Sequence, residues 1–169
     1  MGPHERDHLF FSCNDVEGVN LADAHAGRLE DLDRRDEELF PASFVKVTCL
    51  ITIHGYRVYR QVKNIQRVRR GVPVPIPRHK VVRCIADAMF AFLNQAQAAD
   101  DHDWTFTLGP GGIGMEHLYL TELRRHGKTL VPVFGYIAPD ADPAVLQPEI
   151  DTWVNDPFVM TFDTNDSGL

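Results

Sequence analysis

Hydrophobic and polar positions alternate most strictly in FVKVTCLITI (44–53). Val45, Val47, Cys49, Ile51 and Ile53 fall on one side, and Lys46, Thr48 and Thr52 on the other. A period of two with β-branched residues predicts a strand. His54-Gly55 suits a tight turn, because glycine tolerates positive φ. YRVYRQVKNI (56–65) then predicts the returning strand of a hairpin. Tyr56, Val58 and Val62 face the core, with Arg60 between them. QRVRRG turns the chain again. VPVPIP (72–77) is extended, since each proline fixes its own φ and turns the preceding residue away from helix.

The period becomes helical over RHKVVRCIADAMFAFLNQAQAA (78–99). Val82, Ile85, Ala86, Met89, Leu93 and Ala96 form an apolar stripe that Val81, Ala88 and Phe92 widen. Pro77 is well placed at its start. DWTFTL predicts a strand with Trp104, Phe106 and Leu108 on one face, and GPGGIG a loop after it. LTELRRHG (120–127) predicts a short helix, capped by Thr121 and ended by Gly127. KTLVPVFGYI (128–137) predicts a strand that Pro132 makes an edge or a bulged one. APDADP then reads as a loop, PEIDTWV as a helical turn or two, and FVMTF as a last short strand. The expected fold is α+β: a small mixed sheet with an N-terminal hairpin packed against one main helix at about 78–99.

Residues 1–43 look different. ADAHAGRLEDLDRRDEELF supports one or two helical turns on Leu29, Leu32 and Leu39, while Gly27 and dense charge oppose a long helix. HLFF (8–11) is apolar enough to dock on something, and Pro41 ends the segment. The expected organisation is an acidic, partly ordered arm over 1–43 and a single α+β domain over 44–169.

Charge sharpens this division. Net charge is −7 overall. Residues 1–43 hold eleven acids and four bases, residues 44–84 ten bases and no acid, and residues 85–169 three bases and thirteen acids. The central belt is an electrostatic surface for something anionic, or it is neutralised by the acidic segments of its own chain. Arg78, Lys80 and Arg83 sit at the start of the main helix, against its dipole. Such a broken local rule suggests that these bases meet an anion or an acidic segment. At 44% hydrophobic the chain can bury a core. No apolar run approaches membrane-spanning length, and the N-terminus has no apolar signal core. The expected setting is cytoplasmic or within an assembled particle, not secreted and without a membrane partner.

Specific chemistry is sparse. Gly109, Gly111 and Gly114 satisfy G-x-G-x-x-G, but Pro110 lacks an amide and no acid follows about twenty residues on. His102 and His117, with Asp100, Asp101, Asp103 and Glu116, could approach one another to bind zinc or manganese, although the spacing matches no metal motif. Cys13, Cys49 and Cys84 form no C-x-x-C pair. Cys49 and Cys84 read as core, and a Cys13–histidine nucleophile has no supporting motif. No catalytic, metal or cofactor residue is assigned.

The segments VKVTCLI, VYRQVKN, HKVVRCIADAMFAFL, DHDWTFTL and LYLTELRRHGKTLVPVFGY together resemble the plasmid ORF-three-like family, uncharacterised bacterial proteins of which some are carried by transposable elements. Tyr59 and Arg60 fill its aromatic-Arg positions, His102 and Phe106 its histidine strand, and Phe134 and Gly135 its Phe-Gly turn. The family has aspartates where Val133 and Tyr136 stand here, and QRVRRGVPVP is an insertion. The resemblance spans about 44–137 and implies an α+β fold and a mobile-element connection, without a settled activity.

The functional expectation is a non-enzymatic binding or assembly protein of a mobile element or virus. Arg57, Arg60, Lys63, Arg67, Arg69, Arg70, Arg78 and Lys80 of the belt would contact acidic segments of a protein partner or of a neighbouring copy. The first alternative is nucleic-acid binding through the 56–70 hairpin, with Tyr56 or Tyr59 stacking on a base. The second is a nucleotide- or metal-dependent enzyme using residues 100–117.

Overall fold

The computed structural model describes residues 6–41, 44–53, 56–95, 108 and 113–137. In chain order these form β1 (Arg6–Phe10), β2 (Ser12–Cys13), β3 (Val16–Glu17), β4 (Val19–Asn20), α1 (Leu21–His25), β5 (Lys46–Ile51) and β6 (Tyr59–Asn64). There follow β7 (Gln66–Arg69), β8 (Val72–Pro75), α2 (Arg78–Gln95), a 3-10 turn (Met115–His117), β9 (Leu118–His126) and β10 (Thr129–Tyr136). The main sheet runs β1-β9-β10-β5-β6, with β4 also on β9. The β10–β5 pair is parallel and the others are antiparallel. This is the expected α+β class: a mixed sheet, a β5–β6 hairpin and one main helix.

α2 covers the sheet face that carries Val47, Cys49, Ile51 and Leu130. Val81, Val82, Ile85, Met89 and Phe92 of its stripe are buried there. Removing those side chains from water is the main source of the fold's stability. Residues 96–99 of the predicted helix lie outside the described residues. So do His54-Gly55, Trp104, Phe106, Asp100 to Asp103, the loop at 109–112 and everything after Ile137.

Tertiary pairing overrides four local expectations. LTELRRHG is not a helix but part of β9, because it lies between two strands that take its backbone hydrogen bonds on both sides. Leu, Glu and Arg favour helix by only tenths of a kcal/mol, which such pairing outweighs. Thr121 is not a cap. The register jumps from Val133↔Glu122 to Phe134↔Leu120, leaving Thr121 as the extra residue of a bulge. Its hydroxyl donates to the Val133 carbonyl at 3.1 Å. Gly127, at φ 59, turns the β9–β10 hairpin instead of ending a helix.

Pro132 lies opposite this bulged stretch, but β10 is interior, not an edge. Its pairing with β5 is confined to Thr129 and Leu130, so the missing Pro132 N–H removes no bond to β5. β6 presents Tyr59, Gln61 and Lys63 inward, whereas Val58 and Val62 are 43% and 61% exposed. Pairing Ile51 with Tyr59 sets this phase, and a shift of one residue would reverse every side chain. QRVR is strand β7, paired with β8; the turn is Arg70-Gly71 alone. Both residues have positive φ, 51 and 79, as a two-residue primed turn requires.

The acidic N-terminal segment, expected as an arm, is built into the domain over residues 6–41. β1 pairs with β9 from Arg6↔His126 to Phe10↔Glu122. Phe11, Val19, Leu21, Leu29, Leu32 and Phe40 are buried in the common core. The physical reason is β9: as a strand it has a second edge, which β1 and β4 satisfy. The Asn20 side chain accepts from the Asp23 N–H to start α1. His25 then ties α1 to α2 through Asp87 at 2.8 Å and stacks on Phe90.

Candidate functional site

The eight bases expected to meet a partner divide into two groups. Arg78 is buried. Its Nη2 donates to Glu37 Oε1 at 2.8 Å, its Nη1 donates to the Phe10 carbonyl at 3.1 Å, and its guanidinium lies over the Phe11 ring. The acidic segment of the same chain therefore neutralises this base. The same segment closes the start of α2, where the Arg78 and His79 amides donate to the carbonyls of Glu37 and Arg35. That end of the helix binds its own chain and not an external anion. Hydrogen bonding to Arg78 holds the Glu37 carboxyl below its usual value.

The other bases lie toward the surface. Arg57, Arg60 and Lys80 are exposed, and Arg69 and Arg70 form the end of the β7–β8 hairpin. Lys63 and Arg67 are half-buried, Lys63 at a small apolar pocket that Cys49, Cys84 and Ile85 also line. Among the described residues no ion pair reaches Arg57, Arg69, Arg70 or Lys80. Exposed Val68 and Val72 flank the hairpin's turn. A Cβ built on Gly71 would meet nothing within 4 Å, so the space beside that glycine is open.

A second feature was not singled out from the sequence. Asn14 and Asp15, both at positive φ, turn β2 into β3. Asn-Asp between short apolar positions is the signal that could have revealed this hairpin. Asp33 accepts from the Ser12 hydroxyl at 2.6 Å and from the Asp15 amide at 2.9 Å. Those bonds, Ser12 first, lower the Asp33 pKa. The result is a cleft of about 400 Å³ bordered by Phe10, by the acids Asp15, Asp33 and Glu37, and by the bases Arg34 and Arg78. The Arg78 Nε is buried there without a hydrogen-bond partner among the described residues.

The remaining candidate chemistry is used structurally or lies elsewhere. The Gly114 amide donates to His117 Nδ1 within the 3-10 turn. Among the described residues no group of three or more His, Cys, Asp or Glu side chains is placed to hold a metal, and His102 lies outside them. Tyr56 and Tyr59 both pack against Phe92, and the Tyr56 hydroxyl accepts from the Leu108 amide. No described helix is long and apolar enough to cross a membrane.

The thiols are arranged against nucleophilic use. Burial, then Asp33, Asp31 and Asp23, push Cys13 up to about 11, and burial pushes Cys49 up to about 12. Cys84 is also raised, chiefly by burial. Cys13 in the folded protein is expected to alkylate with iodoacetamide at pH 8 about a hundredfold more slowly than free cysteine. Mass spectrometry of the quenched reaction reads this directly, and urea should abolish the difference.

The fold and its surface thus define a small α+β protein with an exposed basic hairpin and an acid-bordered cleft. No protein-family model, curated protein or solved structure matches the chain.

Proposed function

We propose that the chain is a non-enzymatic binding or assembly protein whose basic belt engages an acidic polypeptide. The observation that carries this reading is the state of Arg57, Arg69, Arg70 and Lys80. They stay at the surface without an ion pair among the described residues, although the chain carries 24 acids. Among the described residues, internal neutralisation reaches Arg78 and does not extend to these four. A mobile-element or viral setting enters through the resemblance of residues 44–137 alone.

Nucleic acid is the less favoured ligand. Phosphate contacts dominate such binding and would be opposed by a net charge of −7. The two tyrosines that could stack on bases pack on Phe92 instead. Fluorescence anisotropy with a labelled polyglutamate peptide and a labelled single-stranded oligonucleotide separates the readings. The peptide should bind at low salt and weaken as salt screens the charges. Arg69→Glu with Arg70→Asp should lower its affinity at least about tenfold, the equivalent of about 1.4 kcal/mol. Absence of peptide binding at low salt, or tighter binding of the oligonucleotide, would refute the proposal.

A further inference from the structure

Resting on that reading, we infer that the acidic partner is a second copy of this chain, and that the β7–β8 turn of one copy inserts into the Asp15–Asp33–Glu37 cleft of the next. Charge is the first argument. Residues 57–70 hold six bases and no acid, and residues 12–38 hold nine acids and three bases. The two stretches are equal and opposite in net charge.

Shape and polarity agree with charge. The hairpin strands are four residues long, which extends the turn about 13 Å from their base. Arg69 and Arg70 at the turn make no ion pair with the acids of their own copy among the described residues. The cleft has room for an arginine side chain, and in its lining the three carboxylates of Asp15, Asp33 and Glu37 outnumber the guanidinium groups of Arg34 and Arg78. Exposed Val68 and Val72 on the hairpin have an apolar counterpart in Phe10, 66% exposed at the border of the cleft.

The contact is heterologous: hairpin and cleft are different surfaces of one chain. After one pairing, one copy keeps a free cleft and the other a free hairpin, so association continues into an open chain or closes as a ring. Two variants isolate the halves. Arg69→Glu with Arg70→Asp alters the hairpin; aspartate tolerates the left-handed φ of position 70. Phe10→Lys with Asp15→Asn alters the cleft border, and asparagine tolerates position 15 for the same reason. Circular dichroism and a thermal melt confirm that each remains folded.

Sedimentation velocity reads the outcome. Wild type should form a concentration-dependent series at low salt and dissociate to monomer at about 1 M salt, where screening is nearly complete. Each variant alone should be monomeric. An equimolar mixture should form dimers and stop there, because it joins one intact cleft to one intact hairpin. Self-association of either variant as in wild type, or failure of the mixture to dimerise, overturns the inference. So does a wild type that is monomeric throughout yet still binds polyglutamate, which leaves the acidic-partner reading standing. Loss of both polyglutamate binding and self-association removes both.

Discussion

Replacing Phe11 by alanine is expected to lower the free energy of unfolding by about 3–5 kcal/mol, the cost of truncating a large buried aromatic. Phe11 is among the largest fully buried side chains. It follows β1 directly, its amide donates to the Thr121 carbonyl, and its ring lies beneath the Arg78 guanidinium. Urea unfolding followed by circular dichroism measures the change as a lower midpoint with little change in slope. Phe11→Leu, which keeps most of the volume, should cost about 1 kcal/mol. The experiment also tests the organisation of the chain. If residues 6–41 were a peripheral arm, the alanine substitution would cost no more than about 0.5 kcal/mol, as at an ordinary surface position.

Arg78→Ala is expected to cost about 2–4 kcal/mol, because it removes a charge-assisted bond to Glu37 and orphans the Phe10 carbonyl. Arg78→Lys should not restore stability, since a single ammonium cannot reach both acceptors and cover the Phe11 ring. Glu37→Gln should cost less, about 0.5–1 kcal/mol, because the Glu37 side chain is 43% exposed and solvated without its partner.

The effect of Arg78→Ala should depend on pH. The Glu37 carboxyl is held below its usual value by Arg78, so the stabilisation is present in full above the value in the unfolded chain. It is lost as pH falls through the folded-state value. The gap between wild type and Arg78→Ala should therefore narrow, by about the cost of Glu37→Gln, as the buffer is taken from pH 6 toward pH 3. A gap that stays constant over that range would mean that the guanidinium acts by packing alone.

The readable parts of the fold share a physical property: their signals are local and periodic. Val47, Cys49, Ile51 and Ile53 are buried as the alternation requires, and the α2 stripe from Val81 to Phe92 is buried as the helical period requires. The β5–β6 pairing follows from two strands close together in sequence. β9 has no clear local signal, because Leu120 to Gly127 carry helix-favouring residues and hairpin-compatible ones together. What decided between them were partners 112 to 120 positions away, at Arg6 to Phe10.

The site was readable to a similar extent. Bases opposing the dipole at the start of α2 signalled an acidic contact, and Arg78 makes one. That Glu37 supplies it, while Arg57, Arg69 and Arg70 stay outside such pairs among the described residues, depends on how the acidic segment crosses the helix end. No local pattern contains that path. The cleft joins Asp33 to Asp15, 18 positions away, through one amide, and to Ser12, 21 positions away, through one hydroxyl. Its only local trace is the Asn-Asp turn.

By itself, the sequence determined the fold class, the main helix, the β5–β6 hairpin and the concentration of positive charge in one acid-free stretch. Each is encoded in residues near one another, where side-chain period, turn chemistry and charge act directly. The tertiary structure alone decided that the acidic N-terminal residues belong to the sheet, that β9 is a strand, and which bases are neutralised. Those outcomes depend on which distant backbone edges and carboxylates are brought within hydrogen-bonding distance. Such contacts form only when the whole core closes, because the entropy of ordering distant segments is offset collectively and not by any one pair.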